Sequence, residues 1–505
     1  MTRAYAATRI MPTMQKLLHV GIVAALALAC LADLAYALPK ANAIEFSNCT
    51  LSLPGTTLTT DARCGRLEVP EDPEAPEGRK ISLHIAMAPA VDRTASPDPL
   101  FFLAGGPGQA ASETWPIMRA VLEKVRRHRD IVLVDQRGTG QSNPLKCAMQ
   151  ETEADPLQTI VDLDLIRRLT RACLEQLDGD PRLYTTTIAM GDIDRVRAAM
   201  GYERINLLGI SYGTRAAQVY ARIFPDRVRT VVLDSVVPME LALGEEHGPM
   251  LDRAVRQVFA DCADDAVCKD LFPIGMEDLR AAFADLRAHP RAIQFTHPAT
   301  GKVEELTVTA DVLAFAIRFL SYATQTQAVL PLLVHEAASL NKLDRLMTQA
   351  TLIGGSLTEQ ISRGMELSVT CSEDFPFFDP RQTGADTLLG PTFLEVIQVS
   401  CEIWPRGEVP ADFHQPVSIA APVLLLAGAR DPVTPPEYAT ATAGHFPDSR
   451  VLIAKGQGHS VGTHPCLRDV MSAFIETGTL KDLDTACVRG IEPAPFFTSI
   501  LGPNP

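Results

Sequence analysis

The chain contains no Cys-x-x-Cys pair and no His-Glu-x-x-His run, two spacings that commonly hold zinc. No glycine-rich turn leads into Gly-Lys-Ser or Gly-Lys-Thr, so a phosphate-cradling loop is missing too. Basic residues are outnumbered, and a net charge of −15 argues against nucleic acid, whose phosphates need a basic face, though not against a basic substrate. There is no internal repeat and no low-complexity tract. The one long apolar run, Leu17–Leu31, is too short and too quickly followed by polar residues for a membrane span.

What is present is a globular composition. With 505 residues, 46% hydrophobic and 21% charged, the chain can bury a large core in one or two domains and carries no signature of disorder. Arg3, Arg9 and Lys16 precede the apolar run, and Ala35-Tyr36-Ala37 and Ala41-Asn42-Ala43 follow it as small-x-small cleavage signals. Residues 1–43 therefore read as a signal peptide of an exported, periplasmic or secreted protein, with no stable membrane insertion after its removal. An uncleaved anchor or a lipid on Cys30 is the alternative, and Ala27-Leu28-Ala29 is a poor lipidation context. Loss of the leader takes away Arg3, Arg9, Lys16, Lys40 and Asp33, leaving a net charge near −18.

Ten of the eleven cysteines follow the leader, an even number that suits disulfides in an oxidising compartment. Nearest-neighbour pairing (49–64, 147–173, 262–268, 371–401, 466–487) closes short loops and is the expected connectivity; the alternative is that some are buried free thiols.

Hydrophobic patterning predicts strands at Ile81–Met87, Pro99–Ala104, Ile131–Asp135, Ile205–Leu208 and Val228–Asp234. Helices are predicted near Pro116–Arg129, Ile160–Leu177, Met190–Met200 and Thr214–Ile223. Alternation of strands with helices requires crossover connections, hence a doubly wound, mainly parallel α/β sheet. From about 241 to 415 the rhythm turns helical (near Met250–Phe259, Met276–Ala288, Ala310–Ser321 and Pro331–Gln349), with a hairpin around Pro298–Gly301. Strands return at Pro422–Gly428 and Arg450–Ala454, with helices at Pro436–Ala443 and Cys466–Phe474. The reading is a core of 44–240 and 416–505, interrupted after the sixth strand by a mainly helical lid at 241–415.

Gly209-Ile210-Ser211-Tyr212-Gly213 lies between a strand and a helix. A serine on so sharp a turn is pushed out of the sheet, and glycines flank it because a Cβ would strike neighbouring elements. Ser211 is the candidate nucleophile, although Gly-x-Ser-x-Gly also occurs by chance. The Tyr212 amide, at the helix N-terminus, would face a developing oxyanion. Gly105-Gly106-Pro107-Gly108 follows an early strand and can supply the second amide from Gly106, unless it is a plain tight turn.

A serine nucleophile needs a base, and the base needs a carboxylate to hold its tautomer. On a doubly wound sheet these follow in the order serine, acid, histidine, each after a late strand. Asp431, in Ala429–Pro435, and His459, in Gly456–Ser460, satisfy that order. Taken singly, Asp431 reads as a turn residue and His459 as an exposed loop residue; together, in order, they read as catalytic. Asp234 is the rival acid, but it comes too early and suits a structural role. Asp135 and Arg137, in Asp135–Ser142, read as residues that hold their loop.

These motifs resemble the α/β-hydrolase serine peptidases that include proline iminopeptidase and the secreted tripeptidyl aminopeptidases. The resemblance runs over most of the mature chain: Gly-Gly-Pro-Gly at 105–108, Asp-Gln-Arg-Gly-Thr-Gly-Gln-Ser at 135–142, Gly-Ile-Ser-Tyr-Gly-Thr at 209–214, and the Asp431 and His459 loops. It implies an α/β-hydrolase fold whose lid carries acidic groups for the substrate's free amine. Glu373 and Asp374, in Val-Thr-Cys-Ser-Glu-Asp, correspond to that pair, with a solvated charge pair as the bland alternative. Ala104 departs from the histidine common in iminopeptidases, which weakens strict proline specificity, and the C-terminal cysteines fit the secreted tripeptidyl branch.

The expected activity is release of N-terminal residues from peptides through Ser211, His459 and Asp431, with Gly106 and Tyr212 binding the oxyanion. No metal or organic cofactor is required. A carboxylesterase or lactone hydrolase would use the same triad on a small ester, because fold and triad do not set the leaving group. A serine at 211 argues against dehalogenase and epoxide hydrolase chemistry, which use Asp there, and the intact triad argues against a non-catalytic binding protein.

Overall fold

The computed structural model describes residues 44–147, 157, 161–298 and 300–503. The expected leader at 1–43, with Cys30, lies outside them, as do Ile160 at the start of one expected helix and Ala299 in the expected hairpin. Nine strands form one sheet in the order β1-β2-β3-β5-β4-β6-β7-β10-β11. They are β1 (Ser47–Ser52), β2 (Thr59–Pro70), β3 (Lys80–Ala88), β4 (Leu100–Leu103), β5 (Ile131–Val134), β6 (Ile205–Ile210), β7 (Val228–Asp234), β10 (Val423–Gly428) and β11 (Ser449–Ala454). The pairs among β5, β4, β6, β7, β10 and β11 are all parallel, whereas β1, β2 and β3 pair antiparallel and β3 joins β5 antiparallel.

The central parallel strands are buried because helices cover both faces, so Leu424, Leu425 and Leu426 are fully enclosed, while the edge strand β11 is only partly buried. Truncating such a leucine to alanine costs about 2–5 kcal/mol. Trp115, Phe102, Leu208, Val232 and Phe474 share a core with Leu424 and Leu426. The antiparallel edge is what patterning missed. β2 alternates buried and exposed over 12 residues, and Cys49–Cys64 ties it to β1. With both strands present, the helical block follows the seventh strand in chain order and not the sixth.

Between β7 and β10 the described chain is helical apart from a two-stranded hairpin, β8 (Arg291–Thr296) and β9 (Val303–Val308). The single helix expected at Pro331–Gln349 is two, Thr324–Ser339 and Asp344–Gln360, broken where Asn341 takes a left-handed conformation. The block has a core of its own, including Phe259, Leu313, Phe315, Leu330, Leu346 and Met347. No described helix is long and apolar enough to cross a membrane. All five nearest-neighbour disulfides are formed, with Cα separations of 4.9–5.8 Å.

Candidate active site

β6 runs directly into Ser211, whose φ of 56° and ψ of −125° lie where side chains are strained. Such a residue costs about 1–3 kcal/mol and persists only where its surroundings over-determine it. They do. Its amide donates to the Asp234 carbonyl at 2.9 Å, and its own carbonyl accepts from Thr214 N at 2.8 Å and Thr214 Oγ1 at 2.6 Å. The helix Tyr212–Ile223 starts at once, which leaves the Tyr212 amide at its N-terminus. A Cβ on Gly209 would stand 2.2 Å from the Gly213 carbonyl oxygen, and one on Gly213 would stand 2.1 Å from that of Leu103. The flanking glycines are thus imposed by close backbone approach.

That approach also fixes the glycine loop. A Cβ on Gly105 would lie 3.2 Å from the Ser211 Cβ, so the turn after β4 abuts the serine. Gly106 has a φ of +104°, open to glycine and strained for other residues. On its far side the Gly108 carbonyl accepts from Ser362 N at 2.9 Å, where the helical block meets the turn.

Asp431 follows β10 and is fully buried. Its Oδ1 accepts from Val433 N at 2.9 Å and Thr434 N at 2.8 Å, and its Oδ2 accepts from Thr434 Oγ1 at 2.8 Å. The same Oδ2 lies 2.7 Å from His459 Nδ1. A carboxylate only accepts, so Nδ1 carries the proton and Nε2 keeps its lone pair. Burial alone would push the imidazole down; the Asp431 carboxylate, with Asp234 behind it, outweighs burial and holds His459 above its ordinary value. Asp431 is in turn held low by His459 and its backbone donors, against the opposing effect of burial.

What brings the serine and histidine loops to one place is Asp234. Its carbonyl holds Ser211, and its carboxylate accepts from Val461 N at 3.0 Å and Gly462 N at 2.8 Å. Next to it, Ser235 Oγ accepts from Ser460 N at 2.8 Å. Burial pushes Asp234 up to about 6, partly offset by those two amides. The helical block also takes part: His459 N donates to the Tyr322 carbonyl at 2.8 Å, and the Tyr322 ring meets His459 edge-on with centroids 5.5 Å apart. Sequence reasoning weighed Asp234 as the rival acid and preferred a structural role for it, which these contacts fit, but passed over Tyr322 and Thr434. For Asp234 the signal was its place at the C-terminal end of the strand after the serine; Tyr322 and Thr434 carry no local signal.

Asp135 and Arg137 hold their loop as expected. Asp135 takes His84 Nδ1 at 3.0 Å and both donors of Ser112, while Arg137 pairs with Asp192 at 2.7 Å.

Glu373 and Asp374 are 0% and 1% exposed, which excludes a solvated charge pair, and Asp374 Oδ2 is buried without a hydrogen-bond partner. Glu373 accepts from Thr186 N at 2.5 Å and Thr186 Oγ1 at 2.7 Å, and that hydroxyl lies 2.6 Å from Tyr212 Oη. Asp374 Oδ1 takes Arg215 at 2.6 Å and Leu243 N at 2.7 Å. Burial raises Glu373 to about 7. The pair ties the helical block to the helix that follows the serine.

A hydroxyl on a strained turn, an imidazole with its free nitrogen set by a carboxylate, and the Tyr212 amide at a helix N-terminus are parts that covalent acyl transfer uses. Among the described residues no group of three or more His, Cys, Asp or Glu side chains is gathered as a metal site.

A family model described as alpha/beta hydrolase fold matches residues 98–263, and one described as TAP-like protein matches residues 387–487. The chain is similar to the serine protease Hip1 of Mycobacterium tuberculosis, 25% identical over 487 residues that cover 88% of this chain and 91% of that one. It is similar to the tripeptidyl aminopeptidase of Streptomyces lividans, 25% identical over 473 residues covering 86% and 85%. A carboxylesterase B of Mycobacterium tuberculosis is 27% identical over 294 residues, covering 52% and 55%. A solved proline iminopeptidase from Mycobacterium smegmatis superposes with a TM-score of 0.41 at 17% identity over 82% of this chain and 98% of that one.

Proposed function

We propose that the chain, which matches an α/β-hydrolase fold model over residues 98–263 and a TAP-like model over residues 387–487, is an exported aminopeptidase of the tripeptidyl type, acting through Ser211, His459 and Asp431. His459 Nε2 takes the Ser211 proton as the hydroxyl attacks the scissile carbonyl. The Gly106 and Tyr212 amides stabilise the oxyanion. His459 then protonates the leaving amine, and water repeats the sequence on the acyl-enzyme. Asp431 keeps the imidazole in the useful tautomer and stabilises its cationic form.

The observation that carries this reading is the 2.7 Å contact between His459 Nδ1 and the buried Asp431 carboxylate, on a loop that Asp234 ties to the Ser211 turn. The Streptomyces relative supports release of tripeptides, and the five bridges together with the leader-like N-terminus support export. The helical block at 241–415 serves as the lid, since its Tyr322 and Ser362 reach the histidine loop and the glycine turn.

The test is a panel of tripeptidyl and aminoacyl amides, their N-blocked versions, and simple esters. Free-amine tripeptidyl amides are expected to turn over fastest, and Ser211→Ala to lose at least about 10⁴-fold in kcat. Equal cleavage of blocked and free peptides would refute the aminopeptidase reading, and turnover of esters alone would favour the carboxylesterase.

A further inference from the structure

Six described arginines are buried, and five of them meet a carboxylate: Arg129 with Asp98, Arg137 with Asp192, Arg197 with Asp194, Arg215 with Asp374 and Arg430 with Asp261. The sixth, Arg318 on the helix Ala310–Leu320, is 8% exposed and makes no ion pair among the described residues. One nitrogen, Nη2, donates to Tyr322 Oη at 2.9 Å and to His247 Nδ1 at 3.1 Å. The other, Nη1, is buried without a partner. The guanidinium lies 4.8 Å from the Phe393 ring centre and 5.6 Å from that of Tyr322.

Its neighbour is in the same position. A guanidinium only donates, so His247 Nδ1 accepts and the ring proton sits on Nε2. That nitrogen too is buried without a partner. Burial and the adjacent Arg318 charge push His247 well below its ordinary value, so the ring stays neutral. Glu366, whose charge is felt at Tyr322, is taken by Arg363 at 2.7 Å. Two sets of unused donors and one uncompensated charge therefore share an apolar wall. A buried charge without a partner is costly, and the missing component is an anion. The place is one ring away from His459, because Tyr322 touches both.

We propose that Arg318 and His247 form a subsite that binds a carboxylate of the peptide substrate, with Arg318 Nη1 and His247 Nε2 donating to its two oxygens. This deepens the peptidase reading and rests on it. The carboxylate is the C-terminus of a short peptide or an acidic side chain, which present the same acceptors.

Matched substrates test it. Tetra-alanine with a free C-terminus is compared with its carboxamide, and amidated alanine peptides bearing Glu are compared with their Gln counterparts, position by position. The carboxylate member is expected to have at least about ten-fold higher kcat/KM, mainly through KM, and Arg318→Met is expected to bring that ratio close to one while Arg318→Lys restores part of it. Preference in the tetra-alanine pair identifies the C-terminus; preference in the Glu/Gln pairs identifies the side chain. Calorimetric titration of Ser211→Ala with the same pairs reads the subsite without turnover. Equal affinities overturn the subsite even if both members are cleaved by the wild type. A retained difference in affinity with no peptide cleaved upholds the subsite and overturns the peptidase reading alone.

Discussion

Replacing Asp234 by Asn changes one atom's chemistry at the point where the serine and histidine loops are joined. The carboxylate accepts from both Val461 N and Gly462 N, on separate oxygens. An amide keeps one acceptor and turns a donor toward the other N–H, so one charge-assisted bond is lost and a donor is left facing a donor. That loss costs about 2–3 kcal/mol, at the upper end of single bonds to charged groups. The substitution also removes a buried charge. Burial holds Asp234 up to about 6 even after the two amides have pulled it down, so relief of that burial offsets the lost bond and the melting temperature at pH 7.5 is expected to move by only a few degrees. Activity has no such offset, because only the lost bond acts on the position of His459. We expect kcat/KM on a neutral tripeptidyl amide to fall by about ten- to a hundred-fold, the rate equivalent of 1.4–2.8 kcal/mol. Asp234 also helps to hold His459 above its ordinary value, so the acid limb of the kcat/KM profile should move to lower pH in the variant. Steady-state kinetics from pH 5 to 9 and thermal melting followed by circular dichroism measure both. Full activity with an unshifted acid limb would refute the account of how the loops are joined. A loss as deep as that of Asp431→Asn would mean that Asp234 is the working acid.

Asp431→Asn should lower kcat by about 10³–10⁴-fold and move the remaining acid limb down. Protonated His459 is inactive, and removing the carboxylate that raises it leaves burial, which lowers it. Gly213→Ala puts a Cβ 2.1 Å from the Leu103 carbonyl oxygen and should destabilise by several kcal/mol or abolish soluble expression, as melting curves would show. Glu373 is raised from 4.5 to about 7, so its contribution to stability is complete below pH 4.5 and lost as pH rises through 7. Glu373→Gln should therefore flatten the fall in melting temperature between pH 5 and 7.5; an unchanged slope would refute the shift.

Elements whose pattern is local were legible from residues alone. The apolar runs Val423–Leu426 and Ile205–Leu208 could only be buried strands, and Gly-x-Ser-x-Gly between strand and helix marked the turn. Serial order after late strands singled out Asp431 and His459. The β1–β2 edge escaped because its alternation is half polar, and the helix break at Asn341 escaped because no Gly or Pro announces it. The burial of Glu373 and Asp374 escaped for a different reason. Two adjacent acids look solvent-facing in a linear chain, and only the approach of Thr186 and Arg215, more than 150 residues upstream, supplies the donors that let them be buried.

The division follows from what each kind of information can encode. Periodicity, turn chemistry and strand order are properties of neighbouring residues, and they determined the sheet, the nucleophile turn and the order of the candidate triad. Which donor meets which acceptor across the chain depends on packing. Folding alone decided that Asp234 bridges two loops, that the acidic pair closes on Thr186 and Arg215, and that Arg318 is buried with no ion-pair partner among the described residues. Burial withdraws water as the alternative partner, so an internal polar group is defined by whatever the fold places beside it.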